Sequence, residues 1–154
     1  MPNIVALPCL DSAEIAEQHR KELRLPPERA ADLGESAVAI SRQGWYVNPL
    51  NERIDLPVSE AIARKASIPP DLILSATERR FEETTIQVSN ESTLQAAKRL
   101  LEAGGKVLAL NFANGVKAGG GFLRGARAQE ECLCRSSALY LTLAGDQMYG
   151  HHAA

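Results

Sequence analysis

Apolar and polar positions divide this chain into a helical first half and a second half that mixes strand and helix. Asp11 to Leu23 is rich in helix formers, with apolar positions at Ile15, Ala16 and Leu23. This predicts a helix closed by Pro26-Pro27. Pro27 also suits the first turn of a second helix, running to about Ser41 and stopped by Gln43-Gly44. Trp45-Tyr46-Val47 is a short β-type run, Asn48-Pro49-Leu50-Asn51 a turn signal and Arg53 to Leu56 a returning strand. A small hairpin is expected there. Pro57 to Lys65 reads as a third short helix, and Ile68-Pro69-Pro70 as a break.

The pattern changes after residue 80. Thr84 to Val88 is β-branched and fits a strand. Ser92-Thr93-Leu94-Gln95 is a capping-box sequence, in which the serine hydroxyl and the glutamine side chain satisfy the first free N–H groups of a helix. Leu94, Ala97, Leu100 and Leu101 form one apolar face, and Gly104-Gly105 supplies the stop. Val107 to Leu110 is a continuous apolar run of the kind found in strands buried on both faces. Strand, helix, strand at this spacing predicts a right-handed βαβ unit in a parallel or mixed sheet, with chemistry just beyond Leu110. The expected organisation is a helical extension with a hairpin over residues 1–80 and the start of an α/β core over residues 81–154.

Composition narrows the class. At 154 residues and 45% hydrophobic, the chain has the length and apolar content of one domain. Its 17 basic and 19 acidic residues are interspersed, so neither nucleic acid nor a membrane surface has electrostatic support as a partner. Met1 to Leu10 is apolar but lacks a basic start, and it is soon interrupted by Asp11 and Glu14. It makes a poor signal peptide. Cys9, Cys132 and Cys134 are odd in number, and the Cys132-x-Cys134 spacing sends two thiols to different sides of a helix. Reduced, partly buried thiols in a cytoplasmic protein are the expectation. No transition-metal site is expected, because the three histidines form no ligand-like array.

The chemistry concentrates between residues 111 and 137. Gly119-Gly120-Gly121 is costly in backbone entropy and makes sense where the main chain passes close to a guest and offers it N–H groups, a phosphate or ribose being usual. A purely structural turn is equally compatible with the glycines alone. There is no Gly-Lys-Ser/Thr, and the spacing is not G-x-G-x-x-G, so neither familiar phosphate loop applies. Seven residues further on stands Gln129-Glu130-Glu131, ahead of an apolar helical run from Cys132 to Leu143. Acids at a helix start are favourable to its dipole without any catalytic role. Adjacent residues cannot point the same way from regular structure, so the two glutamates should have different tasks.

Taken together, the glycine triplet, the short spacer and Gln-Glu-Glu resemble the signature of poly(ADP-ribose) glycohydrolases. The wider run LALNFANGVKAGGGFLRGARAQEECLCRSSALY, Leu108 to Tyr140, resembles the bacterial-type branch in particular. The likeness is strong from about Thr84 to Tyr140 and weaker back to about residue 15. It implies a macrodomain-like mixed sheet between helices, preceded by a helical extension, that binds ADP-ribose. Poly(ADP-ribose) or ADP-ribosylated proteins would be the partners. Carried onto this chain, Gly119, Gly120 and Gly121 would line the diphosphate and distal ribose, with Asn114, Phe122 and Gln129 among the substrate-binding residues. Glu130 would hold ribose hydroxyls. Glu131 would be the general acid that protonates the leaving ribose oxygen, and then the base that activates water. Such an acid must still carry its proton near neutral pH, a state that burial and a neighbouring carboxylate favour. One acid rather than two opposed ones would do the proton transfer, unlike most glycosidases, and the implied chemistry needs no metal or redox cofactor.

Two departures from the pattern stand out. Many relatives carry Asn-Pro before the glycines, where this chain has Lys117-Ala118. Lys117 either replaces a contact or faces solvent. Relatives also continue well beyond the equivalent of Ala154, so this chain is expected to supply only the opening of the core and to leave a strand edge unpaired. Against the hydrolase reading stand a non-catalytic ADP-ribose-binding module and an interaction fragment whose helical N-terminal region docks a partner.

Overall fold

The computed structural model describes residues 3–69, 71–73 and 81–153. The elements in chain order are β1 (Asn3–Ala6), α1 (Ala13–Glu22), α2 (Pro27–Gln43), β2 (Trp45–Val47), β3 (Arg53–Asp55), α3 (Val58–Ala63), β4 (Glu83–Ile86), α4 (Thr93–Glu102), a 3-10 turn (Phe122–Arg124), α5 (Gln129–Ser136), α6 (Leu139–Leu143) and α7 (Gln147–Ala153). The fold is mixed α/β. Its contacts gather into two units, Met1–Arg24 with Pro70–Lys106, and Leu25–Pro69 with Val107–Ala154. Each unit draws on both sides of the boundary expected near residue 80, which itself adjoins residues outside those described.

In the first unit β1 and β4 run parallel, with Asn3 opposite Glu83 and Ala6 opposite Ile86. The β1 strand lies in an apolar run too short to announce itself, and its partner is eighty residues away. Ser12 caps α1 by accepting the Ile15 amide at 3.2 Å. The capping box of α4 forms as expected: the Ser92 hydroxyl accepts from the Gln95 amide at 3.3 Å, and the Gln95 side chain accepts from the Ser92 amide at 2.8 Å. Gly104, at φ 82°, closes that helix. The expected apolar face is uncovered, since Leu94, Leu100 and Leu101 are all exposed. A two-stranded ladder offers too little surface to bury it.

The second unit is built around α2. Pro27 opens this helix and Gly44, at φ 80°, ends it in the left-handed conformation. The hairpin follows, pairing Trp45 with Asp55 and Val47 with Arg53, and the Arg53 guanidinium stacks 4.6 Å over the Trp45 ring. The α2 helix buries Ala30, Gly34 and Ser41 against α5 and the 3-10 turn. Phe122 fills the centre, its ring 5.0 Å from that of Tyr140. Gly34 suits the place beneath it, because a Cβ there would stand a tight 3.0 Å from the Phe122 ring.

Two expectations are corrected here. Val107–Leu110 does not form a strand with any described residue, and the βαβ unit is absent among them. Leu108 is 97% exposed and Leu110 69%, so the run has the composition of a buried strand without the neighbours that would bury it. The helical run from Cys132 to Leu143 is two helices. Ser137 breaks it by donating to the Leu133 carbonyl at 2.8 Å and accepting the Leu139 amide at 3.2 Å.

Candidate active site

Gln129, Glu130 and Glu131 occupy the first turn of α5, beside the loop that carries Gly119, Gly120 and Gly121. Ala128 precedes the helix and has no side chain to cap it. The acids instead turn their carboxyl groups toward the glycine loop.

The two glutamates do point differently. Glu130 is 2% exposed. Its Oε1 accepts from Asn111 Nδ2 and from the Gly119 amide, each at 3.3 Å, and its Oε2 accepts from the Asn114 amide at 2.8 Å. Glu131 is half-buried, and its Oε1 accepts from the Gly121 amide at 3.0 Å. One carboxyl is thus tied on both oxygens, while the other is held by one and is reachable from solvent.

The glycine loop is held from within the chain. The amides of Gly119 and Gly121 donate to the two glutamates, and that of Gly120 donates to the Lys117 carbonyl at 2.9 Å. All three point into the chain, so the loop is first a cradle for carboxyl groups. The lack of side chains is what allows it. A Cβ on Gly120, at φ 55°, would overlap Glu131 Oε1 and stand 3.1 Å from its Cδ. A Cβ on Gly119 would stand 2.9 Å from the Phe122 ring and 3.3 Å from Cys134 Sγ. Phe122 therefore supports the loop from the buried side, beneath Gly119.

Gln129 does something that its place in a motif does not announce. Its Oε1 accepts from the Phe112 amide at 2.9 Å, and its Nε2 donates to the Leu110 carbonyl at 2.8 Å. This pair of bonds is what a neighbouring parallel strand would make around Asn111. The side-chain amide stands in for a peptide group and ties residues 110 and 112 to the start of α5, with Asn111 between them bonded to Glu130. Asn114 closes the loop entrance, its Oδ1 accepting from the amides of Val116 at 3.0 Å and Lys117 at 2.9 Å.

Sequence reasoning passed over Asn111 and Cys134 as site residues. Asn111 lies at the end of the apolar run, where position alone flagged the whole segment. Cys134 is 1% exposed. Burial pushes its thiol up to about 12, and the Glu130 and Glu131 carboxyls push the same way. It is a neutral floor to the site, as expected of a reduced and buried thiol, and no nucleophile. Among the described residues no group of histidine, cysteine and acidic side chains could hold a metal ion, and no helix is long and apolar enough to cross a membrane.

The comparisons with known proteins agree with the motif. The crystal structure of poly(ADP-ribose) glycohydrolase from Thermomonospora curvata superposes with a TM-score of 0.69 at 35% identity, over 80% of this chain and 48% of that one. The same enzyme bound to the inhibitor ADP-HPD gives 0.64 at 34% identity, over 80% and 47%. The chain therefore spans about half the length of these solved relatives. No curated protein sequence matches it. The family described as microbial-type PARG, catalytic domain, matches residues 34–154. On the motif, the matched span and the shared fold, this chain belongs to the microbial-type poly(ADP-ribose) glycohydrolase catalytic-domain family.

Proposed function

We propose that the chain carries the ADP-ribose-binding and acid-catalytic part of a macrodomain-like poly(ADP-ribose) glycohydrolase, hydrolysing the O-glycosidic bond between riboses. The observation that carries this reading is the contrast between the two glutamates: Glu130 buried and bonded on both oxygens, Glu131 fixed at one oxygen and open on the other.

Glu131 has the freedom that proton transfer needs. In the proposed cycle its carboxylic acid protonates the leaving ribose oxygen as the C–O bond breaks, leaving an oxocarbenium-like carbon. The carboxylate then takes a proton from water as the water oxygen bonds to that carbon, which restores the acid. The Gly121 amide donates to Oε1 throughout and keeps the group aimed. Glu130 has three of its roughly four acceptor positions filled by Asn111, Gly119 and Asn114. The remaining one, on Oε2, is where a ribose hydroxyl would bond. Asn114 keeps its Nδ2 for the ligand, because only its Oδ1 is engaged among the described residues. Gly119 to Gly121 let the ligand lie against bare backbone, and Gln129 holds residues 110 and 112 beside the glutamates. The ADP-HPD complex of the Thermomonospora curvata enzyme supports an ADP-ribose-like ligand here.

The deciding experiment pairs calorimetry with ADP-ribose and a poly(ADP-ribose) hydrolysis assay on the intact chain. Binding with hydrolysis supports the proposal. Binding without hydrolysis identifies a non-catalytic module, and a folded chain that ignores ADP-ribose removes the reading altogether.

A further inference from the structure

The glycine loop poses an electrostatic problem for a diphosphate ligand. Its three amides donate within the chain, and two carboxyl groups lie beneath it. A ligand with two phosphates therefore meets acidic groups and no free backbone donors along Gly119–Gly121. Along this loop a counter-charge can come only from a side chain.

Four cations lie between Leu108 and Tyr140: Lys117, Arg124, Arg127 and Arg135. Arg127 donates to the Leu25 carbonyl at 2.8 Å, and Arg135 to the Ala126 carbonyl at 2.9 Å. The side chains of Lys117 and Arg124 have no partner among the described residues, and both are exposed. Their backbone settings differ. Arg124 ends the 3-10 turn and is followed by Gly125, where a Cβ would overlap the Pro27 carbonyl of α2. Lys117 belongs to the glycine loop itself. Its amide is held by Asn114 Oδ1 at 2.9 Å, and its carbonyl by the Gly120 amide at 2.9 Å. Asn114 in turn donates its own amide to Glu130. The lysine backbone is thus pinned at both ends to the residues that shape the site, and its charged side chain is left over.

We infer that Lys117 is a ligand-binding residue whose ammonium group neutralises the diphosphate of ADP-ribose at the lip of the glycine loop. The inference rests on the proposed ADP-ribose reading and adds a residue to it. A point charge on a flexible stem suits this task, because the loop geometry is set by the backbone and only charge is lacking.

The test is the affinity of the intact chain for ADP-ribose, measured calorimetrically at low and high salt. Lys117→Gln should weaken binding by about tenfold at low salt, with the gap closing as salt screens the contact. Lys117→Arg should restore most of the affinity, and the melting temperature of all three proteins should agree, since the side chain is exposed. Equal affinity of Lys117→Gln and the parent at both salts overturns the inference, as does a loss that appears only in Arg124→Gln. A loss independent of salt overturns it too, because it points to a disturbed turn rather than a missing charge. If the parent chain melts cooperatively but does not bind ADP-ribose, the functional reading itself falls and takes this inference with it.

Discussion

Gly120 and Glu131 occupy what is nearly the same space: the position a Cβ would take on Gly120 overlaps Oε1 of the Glu131 carboxyl. The glycine is there because the acid is. Gly120→Ala must displace the carboxyl and break its bond to the Gly121 amide, and it also places a side chain at φ 55°. The backbone cost is about 1–2 kcal/mol, so the protein should still fold. The expected result is a cooperative melt a few degrees lower with poly(ADP-ribose) hydrolysis lost. Unchanged turnover in Gly120→Ala would refute the placement of Glu131 as the proton donor.

Glu131→Gln separates binding from chemistry. The amide oxygen can still accept from Gly121, but the side chain no longer shuttles a proton. Hydrolysis should fall by roughly 10²–10⁴-fold, while ADP-ribose affinity stays within a few-fold of the parent. Comparable losses in both would mean that Glu131 binds ligand rather than transfers protons.

Removing Glu130 should act on stability before it acts on rate. Glu130→Ala strips the acceptor from Asn111 Nδ2 and from the amides of Gly119 and Asn114. Each donor left buried without a partner costs about 1–3 kcal/mol. With solvent relieving Asn114, a net loss of about 3 kcal/mol lowers the melting temperature by roughly 6–12 °C. Differential scanning calorimetry checks this, and a melt matching the parent would show that the loop holds itself without the carboxylate.

Acid should loosen the second unit through Asp146. The Ser67 hydroxyl, the Met148 amide and the Lys65 ammonium group all favour its charged form and bring its pKa down to about 2, from an ordinary value of 3.8. A carboxyl depressed in the folded state takes up its proton first in the unfolded chain. The stability it contributes is therefore complete above about pH 4 and is lost as pH falls toward 2. Asp146→Asn should melt lower than the parent at neutral pH, and the two curves should converge on acidification. Parallel curves down to pH 2 would exclude Asp146 as the group responsible.

Much of the site is legible in the amino-acid sequence, and for a local reason. The Ser92–Gln95 capping box, the proline start and glycine stop of α2, and the hairpin turn at Asn48 depend on groups a few residues apart. The glycine triplet and Gln-Glu-Glu are likewise a local pattern, and they identify the family that residues 34–154 match. Even the divergence of the two glutamates follows from their being adjacent on a helix.

Only the tertiary structure decided who meets whom. Nothing near Asn3–Ala6 indicates that its partner is Glu83–Ile86, because strand pairing is satisfied by groups far away in sequence. Val107–Leu110 has the composition of a buried strand, yet Leu108 is exposed and Gln129 supplies the bonds a neighbouring strand would make at residues 110 and 112. The glycine amides could have been reserved for a phosphate, and the fold gave two of them to Glu130 and Glu131. Residue types and spacing determine which conformations and which chemistry are available to a segment. Which donor reaches which acceptor depends on how distant segments pack, and here that packing bonded one glutamate on both oxygens and the other on one.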